Sequence, residues 1–311
     1  MTRLLYRLHR ADLVVAGAGF AVLCVLLGVT GNVMADHYRQ ALTSCAATSS
    51  CSTLSESLFS GDGLLFDTVI ATVAVPLLLG MFWGGPLVAR ESEGGTLDLI
   101  WTQGITRRRW AMTNISTLLA FAACWGAALS ALVSWWMAPQ NDLWGRLSPG
   151  RFDVQGFVPI AYALFAAALG IATGATIRRT LPAIVVTLVA FTAIRVVILT
   201  NLRAHLLPVA TKLYPLRNDN LGDPPGSLVL RQTVASPAGV PANLPASCAH
   251  VSRGVRTYNI ECVAVHGYRR LVSFQPPSRF WALQGIESAI FVLLATILVL
   301  IAYRQIIRCD A

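Results

Sequence analysis

Six runs of mostly apolar residues, each about 20 residues long and edged by arginines, constrain this chain more than any other feature. They are Leu13–Met34, Leu64–Gly84, Met112–Met137, Gly156–Thr176, Leu181–Thr200 and Gly285–Tyr303. A helix of that length crosses the hydrocarbon core of a bilayer, and a helix is one of only two backbone forms that can do so. Soluble domains carry about 25% charged residues; here the share is 13%, against 55% hydrophobic. The predicted fold class is therefore an all-α polytopic membrane protein with six transmembrane helices. Arg3, Arg7 and Arg10 precede the first run as they would in a secretory signal. Its length exceeds the roughly 7–15 residues of a signal core, so it reads as a retained span.

The net charge of +9 raises nucleic acid as a partner, but the arginines gather at the ends of the apolar runs. That is the pattern of loops held at a charged lipid surface, so membrane lipid is the expected partner and nucleic acid is not. One side carries Arg3, Arg7, Arg10, Arg90, Arg107, Arg108, Arg109, Arg178, Arg179, Arg304 and Arg308. The short loops opposite hold only Arg39, Arg146 and Arg151. The positive-inside rule then predicts a multi-pass protein of the cell (inner or plasma) membrane with both termini in the cytoplasm. Trp83 and Trp110 fall at the inner interface, and Trp135, Trp136, Phe280 and Trp281 at the outer one, where aromatic rings are favoured. Cys45, Cys51, Cys248 and Cys262 all fall outside, where disulfides persist, which predicts the pairs Cys45–Cys51 and Cys248–Cys262.

The domain plan follows from this frame. Residues 1–12 read as a cytoplasmic amphipathic helix, with Arg3, Arg7 and Arg10 on one face and Leu4, Leu5 and Leu8 on another, or as a plain basic anchor. Residues 13–200 hold helices one to five, with a cytoplasmic loop at 90–109. Residues 201–284 form an extracytoplasmic segment, 285–303 the sixth helix, and 304–311 a cytoplasmic tail. Nine of the 15 prolines lie in 201–284, which excludes long helices over much of it. Within it, Tyr258–Phe274 reads as a β-hairpin turning at His266-Gly267. Asn201–Leu216 reads as a stretch dipping back into the outer leaflet.

No enzymatic set stands out. The five histidines, His9, His37, His205, His250 and His266, have no i, i+4 pair of the helical zinc-site kind, so no metal site is predicted. A phosphate-binding loop needs Gly-Lys-Ser/Thr after a glycine-rich turn. The only lysine, Lys212, follows Val209-Ala210-Thr211. The chain is read as a transport subunit rather than an enzyme, with no cofactor of its own.

The loop at 90–109 is the most informative stretch. It reads Arg90-Glu91-Ser92-Glu93-Gly94-Gly95-Thr96-Leu97-Asp98-Leu99-Ile100-Trp101-Thr102-Gln103-Gly104-Ile105-Thr106-Arg107-Arg108-Arg109. Thr96 suits an N-cap, Asp98 the first turn of a helix, and Gly104 its terminator. A short helix over 97–103 places Leu97, Ile100 and Trp101 on one face. That face needs a partner, either a soluble protein or the membrane surface. Thr106 then caps the third span.

Arg-Glu-x-Glu-x-Gly-Thr followed by Trp-Thr-Gln-Gly-Ile-Thr-Arg resembles the first cytoplasmic loop of type-two ABC exporter permeases, most closely an actinobacterial subgroup. Pro277-Ser278-Arg279-Phe280-Trp281, with Gln284 and Glu287, is similar to the approach to that family's last span. The resemblance implies a membrane-spanning permease working as a dimer with a second copy or homologue. It implies a separate cytoplasmic ABC ATPase that carries ATP and Mg and docks on this loop. It also implies export of an amphipathic drug-like (multidrug) or lipid-like substrate by alternating access. Glu91, Glu93, Gly95 and Thr96 match the loop signature, and Glu287 matches an acidic position at the head of the last span. Gly94 departs from the pattern, standing where the family varies.

Three charges interrupt the runs: Asp67, Arg195 and Glu287. Each falls in the outer half of the bilayer, where a charge favours a partner or a wet cavity. Arg195 is expected to pair with Asp67 or Glu287, or else to snorkel outward with the two acids at the wet interface. The competing function is a secondary transporter driven by an ion gradient through Asp67 and Glu287, although no inverted repeat is visible.

Overall fold

In the computed structural model the described residues are 2–48, 72, 74–95, 106–148, 150–216, 226–252 and 255–308. The protein is mostly helical, with a small antiparallel sheet at one end. Five helical stretches among the described residues are long and apolar enough to cross a membrane: Gly17–Gln40, Arg107–Trp136, Val158–Ile177, Thr180–His205 and Pro277–Arg308. The predicted second span is represented by its later part. Residues 74–79 are helical, Gly80–Gly84 form a π turn, and α2 continues without a break over Gly85–Glu93; Pro86, which has no amide hydrogen to give the preceding turn, stands directly after the π turn. Asp67 and the other residues of that span before Ala74, except Thr72, lie outside the described residues.

Helix α1 extends unbroken from Thr2 to Thr48, so no break separates the predicted helix at 1–12 from the first span. Helix α3, Arg107–Trp136, begins as expected at Thr106, whose hydroxyl accepts the Arg109 amide at 3.4 Å. Two short helices follow, α4 at Ala138–Trp144 and α5 at Arg151–Val154. Helix α6, Val158–Ile177, is buried along almost its whole length. It ends at Arg178, whose left-handed backbone (φ 55°) stops the helix and, with Arg179, turns the chain into α7, Thr180–Val197. A π turn, Ile198–Leu202, and a 3₁₀ turn, Arg203–His205, prolong α7.

Close backbone contact explains the central position of α6. A Cβ at Gly170 would stand 2.0 Å from the Gly80 carbonyl oxygen, and one at Gly174 would stand 2.2 Å from that of Gly85. Within lipid no hydrophobic force drives helices together, so small residues that let backbones touch supply the attraction.

Segment 206–279 builds the sheet. Strands β1 (Ala210–Pro215), β2 (Leu228–Ala235) and β5 (Arg269–Gln275) form an antiparallel sheet in the order β1-β5-β2, and β3 (Ala249–Ser252) pairs with β4 (Val255–Tyr258). The predicted hairpin over Tyr258–Phe274 is corrected. Ile260–Val265 is helix α8, because Asn259 caps it, its side-chain oxygen accepting the amides of Glu261 and Cys262. Gly267, with φ 77°, ends that helix rather than turning a hairpin. The later half, β5, is a strand, but its partners are β1 and β2. Helix α9, Phe280–Arg308, returns the chain across the bundle.

Candidate functional site

Two polar constellations sit at opposite ends of α7. The first is buried where α6, α7 and α9 approach the sheet. Helix α5 presents Asp153, α6 presents Tyr162, α9 presents Glu287, and α7 with its 3₁₀ extension presents Arg195 and Arg203. Arg195 Nη2 lies 3.1 Å from Asp153 Oδ2. Arg203 donates from Nε to Glu287 Oε2 at 2.9 Å and from Nη2 to Glu287 Oε1 at 2.8 Å, and also pairs with Asp153 Oδ1. The Tyr162 hydroxyl donates to Glu287 Oε1 at 2.5 Å. Two carboxylates meet two guanidiniums, so the cluster is neutral as a set, which is what burial away from water demands. Both guanidiniums also lie over rings, Arg195 4.1 Å from the Tyr162 centroid and Arg203 4.4 Å from that of Phe152.

This geometry bears on the Glu287 half of the predicted pairing, since Asp67 lies outside the described residues. Arg195 takes Asp153 as its carboxylate, while Glu287 is held by Arg203, so Arg195 and Glu287 belong to one cluster without forming the ion pair expected of them. Asp153, Tyr162 and Arg203 were not singled out in the sequence. Asp153 stands before its apolar run and Arg203 after its own, so a search for charges inside the runs passes over both.

The approach to the last span acquires a physical role. Gln284 Oε1 accepts the amides of Phe157 and Val158, each at 3.0 Å, and its Nε2 donates to the Phe152 carbonyl at 2.9 Å. It thereby satisfies the first amides of α6, which no helical carbonyl can reach. Arg279 donates to Gln275 Oε1 at 2.7 Å and to the Pro208 carbonyl, joining α9 to the sheet.

The second constellation is at the arginine-rich end. Helix α2 closes on Glu93, whose Oε1 accepts the Thr180 amide at 3.1 Å and whose Oε2 accepts the Thr180 hydroxyl at 2.6 Å. These bonds, the hydroxyl's foremost, hold the Glu93 carboxyl below its ordinary value of 4.5, and Arg179 acts in the same direction. Gly95 has φ 63°, a left-handed conformation that glycine adopts without cost, whereas Gly94 lies in the helical region that any residue accepts. Glu91 is half-buried on α2. Thr96, Leu97, Ile100 and Trp101 lie outside the described residues.

A family model described as ABC-2 membrane transporter related matches residues 17–203. The chain belongs to that family. It is accordingly a multi-pass membrane component of an ABC-type transporter, a class that works in general with an ABC ATPase. No curated protein and no solved structure matches it. The ABC-2 match runs from the first span through Arg203, covering the 90–109 loop and four of the five members of the buried cluster; Glu287 and the sheet lie beyond it.

The sulfur chemistry sits apart from both constellations. Cys248 and Cys262 are bridged, with a Cα–Cα separation of 5.6 Å. His266 Nδ1 lies 3.7 Å and 4.0 Å from their sulfurs, but the bridge has consumed both thiols as metal ligands. Cys51, the predicted partner of Cys45, lies outside the described residues.

Proposed function

We propose that this chain is the permease of an ATP-driven exporter, carrying an amphipathic drug-like or lipid-like molecule from the cytoplasm or the inner leaflet to the outside by alternating access. A second permease copy or homologue completes the pathway. A separate ATPase, holding ATP and Mg, docks on residues 91–104, with both termini on its side of the membrane. The observation that carries this reading is the ABC-2 family match over residues 17–203. Glu91, Glu93, Gly95 and Thr96 shape the start of the docking loop, and Leu97, Ile100 and Trp101 supply its apolar contact. The alternative, a carrier driven by an ion gradient through Asp67 and Glu287, gains no support from Glu287. Both of its oxygens already accept from Arg203.

The test is Trp101→Ala combined with Leu97→Ala in the reconstituted complex. Aromatic anchors dominate interfaces, and their truncation often costs over about 2 kcal/mol. Loss of ATPase binding and of substrate-stimulated hydrolysis is the expected result. Undiminished assembly and transport in the double variant, or ATP hydrolysis by the purified chain alone, would end the proposal.

A further inference from the structure

Helix α7 is held in an unusual way. Of its residues only Ala183, Thr187 and Phe191 are buried, while Leu181, Val185, Val189, Val196 and Val197 are at least half exposed. Those exposed side chains are apolar and gain nothing from facing protein rather than lipid tails. Apart from the packing of Ala183 and of Phe191, whose ring stacks on Phe165, what fixes α7 along its axis is polar. At the arginine-rich end Thr180 is held by Glu93 through two hydrogen bonds. At mid-height the hydroxyls of Thr187 and Thr173 meet at 2.8 Å, tying α7 to α6. At the far end Arg195 and Arg203 enter the buried cluster. The rise from Thr180 to Arg195 is about 22 Å, most of the hydrocarbon thickness.

The contact with Glu93 differs from the other two. It is exposed, and its acceptor is the last residue of α2. We propose that Glu93 is a positioning residue: it couples the end of α2 to the axial register of α7, and through α7 to the charge cluster at the opposite end of the bundle. Displacement of the end of α2 pulls on Thr180 and is felt at Arg195 and Arg203. The permease reading enters only as the identity of what displaces α2.

The test uses the full chain in lipid nanodiscs, without nucleotide or ATPase. Spin labels are attached to unnatural amino acids at Leu199 and Phe157, two exposed positions near the cluster, so that every native cysteine stays in place. Electron paramagnetic resonance then reads the distance between them. The wild-type chain is expected to give one narrow distance. Glu93→Ala is expected to add a second population at this far end. Thr180→Pro supplies an independent break. It removes both donors, yet proline is favoured in a first helical turn, and the extended backbone of Arg179 (φ −130°, ψ 128°) is the one a following proline requires. Thr180→Ser keeps both donors and is expected to keep the single distance. Wild-type distributions in both Glu93→Ala and Thr180→Pro would overturn the coupling. So would a second population in Thr180→Ser as large as that in Thr180→Pro. Because no ATP enters the measurement, failure of the permease reading and failure of this one are separate results.

Discussion

Helices α6 and α7 are joined by two residues and lie side by side, yet they are secured by different physics. Every residue of α6 from Ala166 to Ala175 is buried, and its glycines meet the backbone of the neighbouring helix. Helix α7 turns most of its surface outward and is fastened at three heights by hydroxyls, an amide and two arginines. In lipid this difference matters more than in water. Packing of backbone on backbone is continuous and hard to shift, whereas a few polar contacts define discrete positions that can be exchanged. A transporter needs both, a fixed frame and an element that moves against it. The contrast marks α6 as the packed frame and α7 as the helix held by contacts of the exchangeable kind.

The largest expected effect is at the buried end of α7. Arg203→Met leaves two carboxylates, Asp153 and Glu287, facing Arg195 alone. Removing one partner of a buried ion pair typically costs about 3–5 kcal/mol, because an uncompensated charge remains. The thermal midpoint in detergent, followed by tryptophan fluorescence, should fall sharply. Adding Glu287→Gln should recover most of the loss, since Asp153 and Arg195 then balance each other and the Tyr162 hydroxyl can still donate to the amide oxygen. A double variant no more stable than Arg203→Met would mean that the cluster is not governed by charge balance.

A smaller effect is expected on α6. A side chain at Gly170 would meet the Gly80 carbonyl and the backbone of Gly84 and Gly85, so Gly170→Leu must push two helices apart. Overpacking of this kind costs about 1–3 kcal/mol. On α7 the matching enlargement, Val189→Leu, projects from a residue that is 60% exposed and should stay within about 0.5 kcal/mol of the wild type. Equal midpoint shifts for the two variants would erase the distinction between a packed and a latched helix.

Much of the bundle was legible in the sequence because its signals are local. Apolar length placed the spans, arginines marked their ends, and Thr106 announced the start of α3. Gly95 was marked only by resemblance, and it adopts a left-handed conformation that favours glycine. What could not be read was partnership. Arg195 was recognised as a charge needing a counter-ion, but Asp153 lies 42 positions earlier and before its apolar run, so only the packing of α5 against α6 and α7 brings them together. Ile260, Cys262 and Ala264 alternate as a strand would, and the pattern lost to the Asn259 cap, which determines α8 by two hydrogen bonds that no periodicity contains. Gln284 and Arg279 were marked only by resemblance. Their roles, capping α6 and joining α9 to the sheet, depend on residues far away in the chain.

The smallest expected effect is the acid response of the exposed latch. Glu93 is fully exposed, so its contact with Thr180 adds little to global stability and shows only as a local signal. The carboxylate form is the one that accepts both Thr180 donors, and its folded pKa therefore lies below the unfolded value near 4.5. The contribution of the contact is then complete above pH 4.5 and is lost as pH falls through the lower folded value. Hydrogen exchange of the Thr180 amide, corrected for its intrinsic rate, should show constant protection from pH 7 to pH 5 and a decline only in more acidic solution. Arg179 is the other charge acting on Glu93. In Glu93→Gln the acid-dependent step should vanish, because the amide does not titrate in this range. A decline centred near pH 6, or one that survives in Glu93→Gln, would assign the latch to another group and remove the exchangeable contact on which the contrast with α6 depends.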